Sequence, residues 1–278
     1  MATGMAGPGR SRTKRVAIAG LGAIGEALAA AFAKGIDGLE LAAVAARDKG
    51  KAEAKLARLA LKVPVVSVGE LEPLADIAVE CAPASVLPQI AEPFLKRGKT
   101  VVVVSCGALL AHDHLPELAR EHGGQIIVPT GALIGLDAVT AAAEGQIRSV
   151  RMISRKPVRG LEGAPYLQEH RIDISRITEP TKIFSGSSRE AAVGFPANLN
   201  VAVAASLAGI GPDRTQIDLW ADPSLDRNVH RIEVEADSAS FSMEIANVPS
   251  ENPRTGRITA LSVIACLRKL NAPLRIGT

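Results

Sequence analysis

An α/β fold in two parts, a parallel sheet first and an α+β unit with a mainly antiparallel sheet after it, is predicted by three observations. From Arg15 to about residue 129, short uncharged runs alternate with helical patterns, as in a parallel sheet covered on both faces. Beyond Leu136 the runs alternate polar with apolar, the period-two signature of strands with one wet face. Between the first run and the first helix lies G-x-G-x-x-G.

That motif sits in RVAIAGLGAIGEALAAAF, Arg15 to Phe32. Val16 to Ala19 read as a buried strand and Ala27 to Phe32 as helix, so Gly20, Gly22 and Gly25 occupy the strand-to-helix turn. Gly20 permits the tight turn, Gly22 lets the backbone approach a pyrophosphate, and Gly25 lets helix and strand pack closely. The amides at the helix start, around Ala23 and Ile24, attract the anion. The front part is therefore a Rossmann-type dinucleotide-binding domain, and the cofactor is NAD or NADP. The second strand, Leu39 to Ala46, is followed by Arg47 and Asp48. Asp48 suits the ribose hydroxyls of NAD and Arg47 the 2′-phosphate of NADP, or the two simply open the next helix, so both cofactors stay open.

The remaining elements follow in order. A charged helix spans Lys49 to Leu61, then come a short strand at Val63 to Val66, the run Ile77 to Pro83, a helix through Arg97, and strands at Val101 to Val104 and Gln125 to Val128. The loops after these strands, Cys81 to Pro83, Ser105 to Ala108 and Pro129 to Ala132, should line the ligand crevice. A helix from Asp137 to Glu144 leads into a strand at Ile147 to Val158, and further strands are read at Thr181 to Phe184, Thr215 to Trp220, His230 to Glu235 and Phe241 to Val248. Between them Ala197 to Leu207 is a helix of small residues, and Arg159 to Ile177 is a loop that acts as a lid or is mobile. The expected division is a disordered tail 1–14, a dinucleotide-binding domain 15–130, and a substrate, catalytic and dimerisation domain 131–256. The last helix, 257–270, packs back on the first domain.

Composition bounds the function. With 278 residues, 47% of them hydrophobic, the chain can bury cores in two lobes. A net charge of +3 does not point to nucleic acid. No uninterrupted apolar run is long enough to span a membrane, and residues 1–14 lack a signal peptide's apolar core, so a cytoplasmic protein is expected. Cys81, Cys106 and Cys266 have no metal-ligand spacing, suit a reducing compartment, and no metal is expected.

Several segments carry a closer likeness. SCGAL at Ser105 to Leu109, TGALIGLDA at Thr130 to Ala138, FPANLNVAVAASLAG at Phe195 to Gly209, ADP at Ala221 to Pro223, NVH at Asn228 to His230 and ENPRTG at Glu251 to Gly256 resemble the L-aspartate dehydrogenase family. The resemblance implies NAD(P)-dependent oxidative deamination of L-aspartate to iminoaspartate and oxaloacetate, with reductive amination possible in reverse. It also implies that His230 is catalytic and that Ala132 and Asn198 contact the cofactor.

Histidine suits the chemistry because the amine proton needs an acceptor with a pKa near working pH. By pattern alone His230 reads first as a half-exposed strand histidine and the resemblance is what favours the catalytic role, while His112, His114, His122 and His170 read as solvated. Asn200, at the same helix start as Asn198, and Arg254, in a Pro-bounded turn, are candidates to bind the substrate, as are the backbone amides at Thr130 and Gly131. Two rivals remain: a semialdehyde dehydrogenase using Cys106 as nucleophile, and a non-catalytic dinucleotide sensor. The exposed sheet face suggests a homodimer.

Overall fold

The structure, a computed structural model, describes residues 12–196, 199–249 and 256–278. The front lobe contains β1 (Lys14–Ala19), α1 (Ala23–Ala33), β2 (Leu39–Ala45), α2 (Lys49–Arg58), β3 (Val65–Val66), β4 (Ile77–Glu80), α3 (Leu87–Leu95), β5 (Thr100–Val103), α4 (His114–His122) and β6 (Gln125–Ile127). The six strands are all parallel in the order β3-β2-β1-β4-β5-β6, the doubly wound arrangement in which ligands bind where the strand order reverses, here between β1 and β4. β1 and β4 end in VAIA and IAVE with every residue buried, because helices cover both faces of the sheet.

The rear lobe runs through α5 (Leu136–Ala143), β7 (Ile147–Lys156), α6 (Pro165–Glu169), β8 (Thr181–Ser187), α7 (Ser188–Gly194), α8 (Asn200–Ala208), β9 (Thr215–Ala221), β10 (Val229–Ala236) and β11 (Ser240–Ala246). Its sheet has the order β11-β10-β7-β9-β8, antiparallel except for the parallel pair β7 and β9. The alternation is kept throughout. Val150, Met152, Ser154 and Lys156 of β7 face the core side, and Arg151 and Arg155 the other. The 159–177 segment is neither lid nor loose loop: Leu161, Ala164 and Leu167 are buried in the rear core, and Tyr166 packs edge-on against Phe184 and tilted against Phe195 in an aromatic cluster.

Two helices tie the lobes. α8 is built from Ala and Val, so it can lie between them. Val201, Ala202 and Ala205 enter the rear core, while Val203 and Ala204 enter the front one. α9 (Arg257–Asn271) returns to the front lobe, where Val263 and Leu267 are fully buried in the core that also holds Ile18 and Leu28. The loops at the crevice are held by Glu80, the last residue of β4 and completely buried. Its Oε2 accepts from the amides of Val104 (3.2 Å) and Ser105 (2.8 Å), and its Oε1 from the amide of Ala82 (3.0 Å) and the hydroxyl of Ser105 (3.1 Å). One carboxylate thus shapes two adjacent loops. Glu80→Ala orphans those amides and is expected to lower the free energy of unfolding by about 3 kcal/mol in urea titrations, whereas a change under 1 kcal/mol would show that the loops hold without it.

Candidate active site

The glycine turn is shaped by close approach on one side and open space on the other. Gly20 has φ +100°, and a Cβ there would sit 2.5 Å from the carbonyl oxygen of Cys81. At Gly25 a Cβ would strike the carbonyl of Gly20. At Gly22, the N-cap of α1, it would meet nothing within 4 Å. The turn therefore packs against protein at its first and third glycines and faces empty space at its second, which fits a pyrophosphate approaching the first-turn amides of Ala23, Ile24 and Gly25. Ile24 lines the cleft. Gly20 donates to the carbonyl of Ala45 at 2.7 Å, so the end of β2 adjoins the turn. Just beyond it Arg47 is exposed, while Asp48 caps α2 by accepting from the amide of Lys51 at 3.0 Å.

From the turn a cleft of about 770 Å³ runs between the lobes. Its front wall includes Ala82, Ser105, Gly107, Thr130 and Ala132, α8 contributes Asn200, and the rear wall presents Lys156, Asn228 and His230. His230 is 2% exposed and its Nδ1 lies 2.9 Å from the Ser154 hydroxyl, its direct cross-strand partner on β7. Burial, reinforced by the positive charge of Lys156, holds the imidazole well below its usual 6.5. The expected acceptor with a pKa near working pH is thus corrected downward: His230 is held neutral across the physiological range. Lys156, 3% exposed, is itself lowered to about 8 by burial.

The other candidates separate. Asn200 lines the cleft, but its Oδ1 accepts from the amide of Gly107 at 3.0 Å, so this oxygen clasps the two lobes. Ala132 also lines the cleft, with its carbonyl held by Asn247 Nδ2 at 3.0 Å. The Gly131 amide, expected to bind a carboxylate, instead donates to Ser262 Oγ of α9 at 3.0 Å. Asn198 and Arg254 lie outside the described residues. His112, read as solvated, lines the cleft. The Cys106 thiol donates to the carbonyl of Asn200 at 2.9 Å and burial pushes it up to about 12, which removes the thiolate that the semialdehyde reading requires.

Sequence reasoning missed Ser154, Lys156 and Glu80. For the first two a signal existed: in the β7 alternation both fall on the face of Val150 and Met152, and polar groups on a core face ask for a reason. The glycine turn yields a paired expectation. Gly20→Ala should lower the melting temperature because of its φ and the Cys81 contact, whereas Gly22→Val should leave it within about 2 °C and weaken NADH binding at least about tenfold by fluorescence titration.

A doubly wound parallel sheet whose glycine turn opens on a cleft ending at a buried histidine defines a two-lobed, NAD(P)-dependent oxidoreductase. Residues 20–129 match the family model described as homoserine dehydrogenase, NAD binding domain, and residues 137–270 match aspartate dehydrogenase, C-terminal. An L-aspartate dehydrogenase of Bradyrhizobium diazoefficiens is 62% identical over 264 residues, covering 95% of this chain and 94% of that one. One from Methanocella arvoryzae is 40% identical over 268 residues, covering 95% and 99%. The crystal structure of aspartate dehydrogenase from Thermotoga maritima shares the fold, with a TM-score of 0.70 at 21% identity over 95% of this chain and 99% of that chain. The chain belongs to the L-aspartate dehydrogenase family.

Proposed function

We propose that the chain oxidises L-aspartate to iminoaspartate, which water converts to oxaloacetate and ammonium, with NAD or NADP as oxidant, and that the same site runs the reductive amination in reverse. The observation that carries the reading is a neutral, buried His230 on the far wall of the cleft that starts at the glycine turn. The family membership supports it. Gly20, Gly22, Ala23, Ile24 and Gly25, with Arg47 and Ala132, would hold the dinucleotide, which would supply the hydride acceptor; Asn198, given to the cofactor by the family likeness, lies outside the described residues.

The protein's own part is positional and acid–base. Ser154 holds Nδ1 of His230, and in the tautomer that donates from Nδ1 to Ser154 Oγ the lone pair of Nε2 is left for the cleft. There it takes a proton from the substrate ammonium. The nitrogen lone pair so released forms the C=N bond as the α-hydrogen leaves with its electron pair. Because the imidazole is buried, its side of the cleft is of low dielectric, which strengthens its interaction with the charge developing at the amine. Water then adds to the imine and ammonia departs.

The test is a cofactor-reduction assay with L-aspartate, L-glutamate, L-alanine and malate against NAD and NADP separately. L-Aspartate should be the preferred substrate, and His230→Ala should lose about 10²–10⁴-fold in kcat while binding NADH normally. Because the base works unprotonated and its pKa is depressed, the acid limb of kcat/KM should lie below pH 6.5. Cys106→Ala should keep its turnover. Normal NADH binding with no turnover of any of these substrates would favour a dinucleotide sensor.

A homodimer belongs to the same proposal. The outer face of the rear sheet carries Trp220, Ile153 and an ionic network in which Arg151 pairs with the buried Asp218, as Arg155 does with Asp222 at 2.7 Å, a surface suited to a second copy. Sedimentation equilibrium at micromolar concentration should return the dimer mass, and the monomer mass would reject this part.

A further inference from the structure

Lys156 is a buried cation that the fold leaves without an ion-pair partner among the described residues; toward His230 its charge only adds to the effect of burial. Among the described residues no carboxylate pairs with it; burial is the sole cause of its perturbation. It is also the only lysine or arginine among the described residues that line the cleft. An uncompensated buried charge is destabilising, and it persists where something brought to the site completes it. Its position says what that is. Ser154 and Lys156 stand two residues apart on the same face of β7, about 7 Å along the strand. Ser154 lies opposite His230 in the strand register, so Lys156 sits on the same wall beside the position where His230 would meet the reacting carbon, where the second acid group of a four-carbon dicarboxylate would fall. On β10 the chain just before His230 brings Asn228 to the same end of the cleft.

We infer that Lys156 receives the side-chain carboxylate of the substrate and is the residue that selects an amino dicarboxylate over amino acids lacking a second acid group. This rests on the reading that the substrate is L-aspartate. The arrangement also couples the two rear-wall groups. Burial is the main cause of His230's depression and the Lys156 charge adds to it; a carboxylate seated on Lys156 offsets that second contribution, so the base strengthens when the correct substrate arrives.

The experiment titrates succinate, a dicarboxylate with no amine to react, into NADH-saturated protein by calorimetry. Wild type and Lys156→Met are compared, with NADH affinity and melting temperature as controls for folding. Loss of the buried charge should leave the melting temperature equal or higher. Succinate affinity should fall at least about 30-fold while NADH affinity stays within about twofold. A second measurement uses wild type alone, between about pH 7 and 9.5. Among the described residues the titratable groups lining the cleft with Lys156 are His230, His112 and Cys106, while on neighbouring β9 the carboxylate of Asp218 is taken by Arg151 and, just past that strand, the carboxylate of Asp222 is taken by Arg155. His230 titrates well below the window and Cys106 at about 12, so succinate binding should weaken as Lys156 loses its proton above about 8.

Wild-type affinity in Lys156→Met, a pH-independent succinate affinity, or no succinate binding by wild type overturns the inference. If the variant fails to fold, the pH series decides alone. Lys156-dependent succinate binding without oxidation of L-aspartate would sink the functional reading and leave this site standing. Oxidation of L-aspartate with succinate affinity indifferent to Lys156 would do the reverse.

Discussion

The clasp between Asn200 and the turn after β5 is the constraint from which the cleft follows. The Cys106 thiol donates to the carbonyl of Asn200, and the Gly107 amide donates to its side-chain oxygen, so the first residue of α8 is bound twice to the front lobe. A side chain at Gly107 would collide with that oxygen, at 2.9 Å from its Cβ. The helix that starts there sends alternate small residues into both cores. Because Ala and Val have little volume and little side-chain entropy to lose, α8 can run between the lobes without prying them apart. The distance from the glycine turn to the rear wall is thereby set by packed structure.

The polar groups at this seam are buried at a cost, and each is answered differently. Glu80 is pushed up by burial but receives three amides and a hydroxyl, so it works as a structural knot. His230 avoids the cost by staying uncharged and keeping one hydroxyl partner. Asp222, also buried, is satisfied by Ser224 and by Arg155, so it closes the turn after β9 and takes no part in the cleft. Lys156 alone faces the cleft without such an answer from the described residues. The contrast separates groups that hold the fold from groups that await a ligand.

Much of this architecture was legible in the residues. The glycine turn, the parallel sheet and the rear alternation all rest on short-range patterns, and the strands and helices read from them are found with ends differing by a few residues, whereas α4, α6 and α7 were not read as helices. The helix expected through Leu61 stops at Arg58 because Ala60 takes φ +55°. His230 was singled out by likeness to a family, since its own strand reads as an ordinary half-wet one. What escaped notice depends on distant pairing. That Ser154 lies opposite His230 is a matter of register between β7 and β10, separated by more than seventy positions, and no local pattern states it. The occupied state of the Gly131 amide likewise depends on Ser262, far along the chain.

That same contact brings α9 into view as the piece that finishes the molecule. Its Ser262 anchors the loop at the cleft, its Val263 and Leu267 roof the apolar groove of the front lobe, and Asn271 Nδ2 donates to the carbonyl of Gly38 at 2.8 Å. Residues of α9 therefore complete a core begun by β1 and α1. During translation the nucleotide-binding half is left with an unroofed hydrophobic furrow until α9 has followed the rear lobe. Its maturation is thus a late event, shared with the rear lobe.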